Sequence, residues 1–169
     1  GAFFDNGQDP LKKDVLEMLY QMFDEYQLVL VPSIQLSMPL IELEQQLQHS
    51  TRSGGIGSAI GIRLTSIDGD RADVSTVGRY NPLDPRVQMA IRNLIKEMVQ
   101  RYHKHSSFAG INIELIPDSY THLPNSNWGL DPTTLHWFFQ DQEIQPSDLH
   151  VDNVNAVQTS LANEWNLWK

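Results

Sequence analysis

The chain has 169 residues, no cysteine, and 12 Lys and Arg against 21 Asp and Glu, for a net charge of −9. Lack of Cys excludes disulfides, thiol chemistry and Cys-ligated zinc, and the acidic balance argues against nucleic acid or an anionic membrane as partner, since phosphate binding needs a basic surface. With 40% hydrophobic and 20% charged residues, one soluble globular domain spanning residues 1–169 is expected.

In chain order, the first element predicted is a helix over residues 10–26. Leu11, Val15, Met18, Leu19, Met22, Phe23 and Tyr26 share one helical face, with Asp9 as N-cap and Pro10 at the first helical position. LVLVPSIQL follows at once and reads as a buried strand, ended or kinked near Pro32. Its apolar run from Leu28 to Val31 is far short of the ~20 residues a membrane helix needs, so no membrane insertion is expected. The N-terminal GAFFDN has neither the basic region nor the apolar core of a signal peptide, and the compartment stays open.

A short helix is predicted over 39–49, then a Gly-rich loop. Gly54, Gly55, Gly57 and Gly61 fit neither a dinucleotide nor a P-loop spacing. IRLTSI and ADVSTV flank DGDR, where Asp68-Gly69 signals the turn of a β-hairpin. Asp84 and Pro85 then start a helix reaching about Tyr102, with Val87, Ile91, Leu94, Met98 and Val99 on its buried face. FAGINIELI is the second buried strand. A polar and aromatic loop from Pro117 to Leu130 leads to a helix capped by Asp131, a break at QPSDLHVD, and a final helix holding Leu161 and Trp165. This alternation predicts parallel strands with helices outside. A complete eight-fold barrel takes ~250 residues, so the order fits either a small open α/β domain or part of a barrel.

The chemistry concentrates on the second strand. With a period of two, Ala109, Ile111, Ile113 and Leu115 point one way, and Gly110, Asn112, Glu114 and Ile116 the other. A carboxylate in an apolar strand is costly unless paired, hydrogen-bonded or protonated. Glu114 therefore reads either as a functional carboxyl near the C-terminal end of a barrel strand or as a structural one, paired with an Arg or facing solvent. Asp118 is a second candidate acid and equally a turn former after Pro117. Tyr120 could supply a ring-stacking or hydrogen-bonding partner, Trp128 reads either as a platform for a sugar face or as packing over the barrel rim, and Gln35, near the end of the first strand, could line the same pocket with Ser33 and Ser37. His103 and His105 lie past a helix C-terminus, where a cation suits the dipole. His122, His136 and His150 show no metal-ligand spacing, so no metal is expected.

NPLDPRV, a helix ending VQRYHKHSSFAG, and then a strand resemble a stretch of the clan-A glycoside hydrolases, particularly the beta-galactosidase-like barrels. Those run "NP…P.V", a helix, "RY..HP...GW", and a strand closing in Asn-Glu. FDEYQLVLVPSIQLSMPLIELE is similar to the preceding helix and strand, and in detail the chain resembles the uncharacterised family-10-like glycosyl hydrolases. The resemblance implies a partial (β/α)8 barrel of TIM type, into which the hairpin is an excursion, from a larger protein that hydrolyses O-glycosidic bonds with carboxyls and a shaped pocket and no cofactor. Glu114, with Asp118 as the weaker candidate, is then the proton donor, and Gln35, Asn112, Tyr120 and Trp128 hold a carbohydrate substrate. Counted from Gly110, however, the family's Asn-Glu pair falls on Leu115 and Ile116, so Glu114 keeps the inward parity but lies one layer lower. The strand that carries the nucleophile in this clan is not among these residues, so the chain alone is expected to be inactive. The alternatives are an inactive barrel that binds carbohydrate or a protein, and a purely structural module. Exposed barrel edges are expected to drive self-association.

Overall fold

The computed structural model describes residues 14–52, 61–67, 79–116, 119–121 and 125–169, with residues 50–52 described by backbone alone. Within them run α1 (Val15–Glu25), β1 (Ser33–Gln35), α2 (Ile41–Arg52), α3 (Pro85–Tyr102), β2 (Asn112–Glu114), α4 (Pro132–Asp141), α5 (Asn153–Gln158) and α6 (Ala162–Trp168). β1 and β2 pair in parallel, which makes the chain a mixed α/β protein. It divides into two compact units, Gly1–Gln35 with Met89–Glu114 and Leu36–Gln88 with Leu115–Lys169. Among the described residues no helix is long and apolar enough to cross a membrane.

In the first unit α1 begins later than its sequence suggests. Asp14 is the N-cap, accepting from the Glu17 N–H at 3.0 Å, where Asp9 was expected. Asp9 and Pro10, the expected cap and first helical residue, lie outside the described residues. The helix stops because Gln27 turns left-handed (φ 53°) and the Leu28 N–H returns to the Phe23 carbonyl.

The expected buried face of α1 is corrected. Val15, Met18, Met22 and Tyr26 are 45–70% exposed, and the residue that is buried is Tyr20. Tyr20 stacks on Tyr102 at 5.0 Å and on His105 at 5.3 Å, and of the expected face Leu19 and Phe23 are half-buried beside it.

The expected long buried strands shrink as well. β1 and β2 hold three residues each, extended by one parallel bridge between Leu30 and Phe108, and Leu28, Val29, Val31 and Leu115 are exposed. A parallel sheet is buried only when both faces are covered, and two strands leave these side chains without a covering layer among the described residues. Pro32, which has no N–H, still serves the ladder by accepting from the Asn112 N–H. Gly110 sits at φ 148°, just ahead of β2.

α3 starts where the sequence places it. Asp84 Oδ1 accepts the Arg86 N–H at 2.9 Å, with Pro85 as the first helical residue. Val87, Met98 and Tyr102 are buried as a helical stripe requires, whereas Val99, expected inside, is 38% exposed. Val99 directly follows the buried Met98, and adjacent helical positions do not share a face.

In the second unit the start of the expected first hairpin strand, Ile62–Leu64, pairs antiparallel with Arg79–Asn81, which follow the expected second strand rather than belong to it. Leu64 N–H donates to Arg79 O, Asn81 N–H to Ile62 O, and Arg63 bridges Tyr80. The Asp68-Gly69 turn and ADVSTV lie outside the described residues. α2 starts at Ile41 and continues to Arg52, beyond the predicted end.

A core of this unit joins Leu130, just ahead of α4, with Leu135, Phe138 and Phe139 of α4, Val157 of α5 and Trp165 of α6. The Phe138 ring meets Trp165 edge-on at 5.1 Å, and the Trp165 indole N–H donates to the Ser126 carbonyl at 2.8 Å. Gly129, at φ 83°, leads from the Trp128 loop into α4. The backbone angle favours glycine there, and a Cβ would also lie 3.2 Å from Thr134 Cγ2 and displace the tip of Lys169.

Candidate functional site

β1 and β2 bring three of the sequence-predicted residues together. The register pairs Ser33 with Asn112, Ile34 with Ile113, and Gln35 with Glu114. Because side chains alternate, Ile34 and Ile113 share one face and Ser33, Gln35, Asn112 and Glu114 share the other. Ile34 is buried, which fixes the polar quartet on the opposite side. Neighbouring strands lie about 4.8 Å apart, so Gln35 and Glu114 face one another as immediate neighbours at the C-terminal ends of their strands. Asn112 Nδ2 donates to Ser33 Oγ at 2.9 Å, which holds the amide and leaves its carbonyl oxygen as an acceptor. Glu114 is half-buried, and no hydrogen bond or ion pair joins its carboxylate to another described residue. Asp118 lies outside the described residues.

Tyr120 and Trp128 belong to the second unit. The Tyr120 ring packs on Tyr80 at 5.1 Å, while its N–H donates to Leu36 O and its carbonyl accepts from the Tyr80 N–H. Trp128 bridges Ser66, and the Arg79 guanidinium stands 4.7 Å over its ring. Both aromatics are half-buried against protein neighbours.

Sequence reasoning missed three polar networks. In the first, Arg63 holds both Glu44 oxygens at 2.8 Å, and the buried Tyr80 hydroxyl donates to Glu44 while accepting the Leu40 N–H. Burial, then the Glu44 carboxylate that takes its hydrogen bond, push the Tyr80 hydroxyl well above its ordinary 10. This network ties the start of α2 to the Arg63–Tyr80 pair, and its carboxylate is already neutralised.

The second network explains the Asn of NPLDP. Asn81, fully buried, donates to Asp131 Oδ1 at 2.9 Å and to Thr134 Oγ1 at 3.1 Å, and accepts the Leu83 N–H. Asp131 also takes the Thr134 N–H as the N-cap of α4. Burial raises the Asp131 carboxyl above its usual value against those hydrogen bonds. Asn81 is thus a structural splice between the entry to α3 and the start of α4.

In the third network, within the first unit, His105 lies between Glu17 and Asp24. The signal in the sequence was the seven-residue spacing of those acids, which puts them on one helical side two turns apart. His103 only caps the end of α3 through Val99 O at 3.0 Å, and His122 lies outside the described residues. His136 lines a cleft of about 340 Å³ with Leu135, Phe139 and Val154, and His150 is exposed. Among the described residues no cluster of three or more His, Asp or Glu side chains is arranged to hold a metal ion.

Comparison of the chain with protein-family models, with curated proteins and with solved structures finds no match.

Proposed function

We propose that the chain is part of a (β/α)8 barrel of a glycoside hydrolase that cleaves O-glycosidic bonds, with the polar face of β1 and β2 in its sugar site. One observation carries the reading: Gln35 and Glu114 stand in register at the C-terminal ends of adjacent parallel strands, on the face they share with Asn112. That end is where β/α barrels place their chemistry. Glu114 is the proton donor, and a carboxylate with no partner among the described residues suits this role better than it suits a structural ion pair. Asp118 is the second candidate acid. Gln35 and Asn112 bind hydroxyl groups, the amide of Asn112 being held by Ser33. Tyr120 and Trp128, which the resemblance implies as further sugar contacts, lie in the second unit, so the proposal rests on the residues of the first.

Retaining hydrolysis needs two carboxyls about 5 Å apart and inverting hydrolysis a wider pair. Glu114 is the lone carboxyl on this face among the described residues, so the second must come from Asp118 or from a further strand. The exposed stripe of Val15, Met18 and Met22 and the uncovered Leu28, Val29 and Val31 also suit a barrel whose neighbouring units are absent, and favour self-association. The single carboxyl also favours a second reading, in which the face binds sugar without cleaving it.

The test is an NMR titration of the side-chain amides of Gln35 and Asn112 with neutral oligosaccharides. Saturable shifts confined to these amides, lost in Gln35→Ala, support the reading. No shift with any of a broad panel counts against it.

A further inference from the structure

We propose that His105 is a proton-operated latch that fastens α1 to the turn between α3 and β2. The idea is independent of the proposed hydrolase site and stands on the surroundings of one side chain. The His105 ring is 7% exposed, and each of its nitrogens faces a carboxylate of α1. Nδ1 lies 2.6 Å from Asp24 Oδ2 and Nε2 lies 3.1 Å from Glu17 Oε2. Only the imidazolium has a hydrogen on both nitrogens, so the geometry is that of the charged form. Tyr20 of α1 stacks flat on the ring at 5.3 Å and is itself flanked by Tyr102 of α3 and by Phe108.

The remaining charged and polar groups around the latch decide what happens when the proton leaves. Asp24 also accepts from the Ser106 hydroxyl and the Ser107 N–H. Glu17 accepts from Lys104 Nζ at 2.8 Å and more weakly from Gln21. Asp14, at the start of the helix, accepts from the Tyr102 hydroxyl. A neutral ring can donate to only one carboxylate, and the shorter contact, to Asp24, is the one to keep. Nε2 then turns a lone pair toward Glu17, and an attraction becomes a repulsion. The first turns of α1 lose a fastening, while its last turn stays held through Asp24.

Burial of the ring opposes its charge, but the hydrogen bonds to Asp24 and Glu17 outweigh this and raise His105 above the ordinary 6.5. The native state therefore holds this proton more tightly than the unfolded chain does. The contribution to stability is complete below about pH 6.5 and is lost as pH rises through the higher native midpoint. Asp24 and Glu17 work in the other direction. Asp24 is lowered chiefly by its hydrogen bonds to Ser107 and His105, and Glu17 by those to Lys104 and His105, so their contributions fade as pH falls below the usual carboxylate range. The latch is closed in the weakly acidic window between those limits and opens on the alkaline side.

The experiment is a site-resolved NMR titration of the histidine Cε1 protons from pH 5 to 9, with amide hydrogen exchange of Leu19, Tyr20 and Gln21 at each pH. His105 should titrate above 6.5. Protection of those amides, corrected for intrinsic exchange, should fall across the same interval, by about tenfold for each unit by which its midpoint exceeds the unfolded value. Glu17→Gln should lower the His105 midpoint, and His105→Gln should flatten the pH dependence of protection. A wild-type His105 midpoint at or below 6.5, or α1 protection that does not change with pH, overturns the proposal even if the variants fold poorly.

Discussion

Replacing Asn81 with Ala removes three hydrogen bonds at one fully buried point. Two leave through the Nδ2 donor, to Asp131 Oδ1 and Thr134 Oγ1, and one through the Oδ1 acceptor of the Leu83 N–H. A neutral hydrogen bond contributes about 1 kcal/mol net and one to a charged group about 2 kcal/mol, which makes roughly 4 kcal/mol in all. Neither partner in α4 is orphaned, because Asp131 Oδ1 keeps the Thr134 N–H and Oδ2 keeps the Thr134 hydroxyl. The loss should therefore settle at about 3 kcal/mol, or a fall in Tm of about 10 °C for a chain of this size. Urea unfolding followed by tryptophan fluorescence reads it directly, since Trp165 and Trp168 stack together in the same unit. Asn166→Ala, at an exposed position of α6, is the control and should stay within about 0.5 kcal/mol. If Asn81→Ala costs less than about 1 kcal/mol, the splice between the entry to α3 and the start of α4 is not the constraint described above.

Two further substitutions are expected to stabilise the protein. The Tyr20 hydroxyl is buried with no hydrogen-bond partner among the described residues, and leaving such a group unsatisfied costs about 1–3 kcal/mol. Tyr20→Phe should therefore raise the urea midpoint while keeping the stack on Tyr102, and a lowered midpoint would reveal a partner for that hydroxyl. Glu143 ends α4 in the left-handed region at φ 55°, with the Ile144 N–H returning to Phe139 O. A left-handed backbone costs a non-glycine residue about 1–2 kcal/mol, so Glu143→Gly should gain about 0.5–1 kcal/mol in thermal unfolding. A loss would mean that the side chain supports the cap.

The sequence was most legible where a local signal has one physical outcome. Asp84-Pro85 and Asp131-Pro132 start helices as their residues demand, through a carboxylate that satisfies free N–H groups and a proline preset for the first turn. The parity that puts Asn112 and Glu114 on one strand face is read equally well, because a period of two has no alternative once Ile113 is turned away. Periodicity says that Val15, Met18 and Met22 share a face but not whether anything covers it, and all three are exposed. The latch joins residues 81 and 88 positions apart, and the Asn81–Asp131 bond spans 50. The spacing of Glu17 and Asp24 shows that they share a helical side, but no local pattern says which distant residue they meet. His105 looked like a simple helix-end cation because the acids that hold it sit in a different helix. For Trp128 a sugar platform and plain packing could not be separated, and Tyr120 had no assigned neighbour, because a sequence shows an aromatic ring but not the Tyr80 or Arg79 packed against it.

The most direct measurement is hydrolysis of a panel of aryl glycosides and polysaccharides by the chain extended to complete the barrel, compared between wild type and Glu114→Gln. The proposal predicts activity in the wild type that falls a hundredfold or more in the variant, on the order of what a lost general acid costs, with KM little changed. Hydrolysis indifferent to Glu114 would contradict the assignment of the proton donor, and a completed barrel that neither cleaves nor binds any saccharide would contradict the sugar site itself.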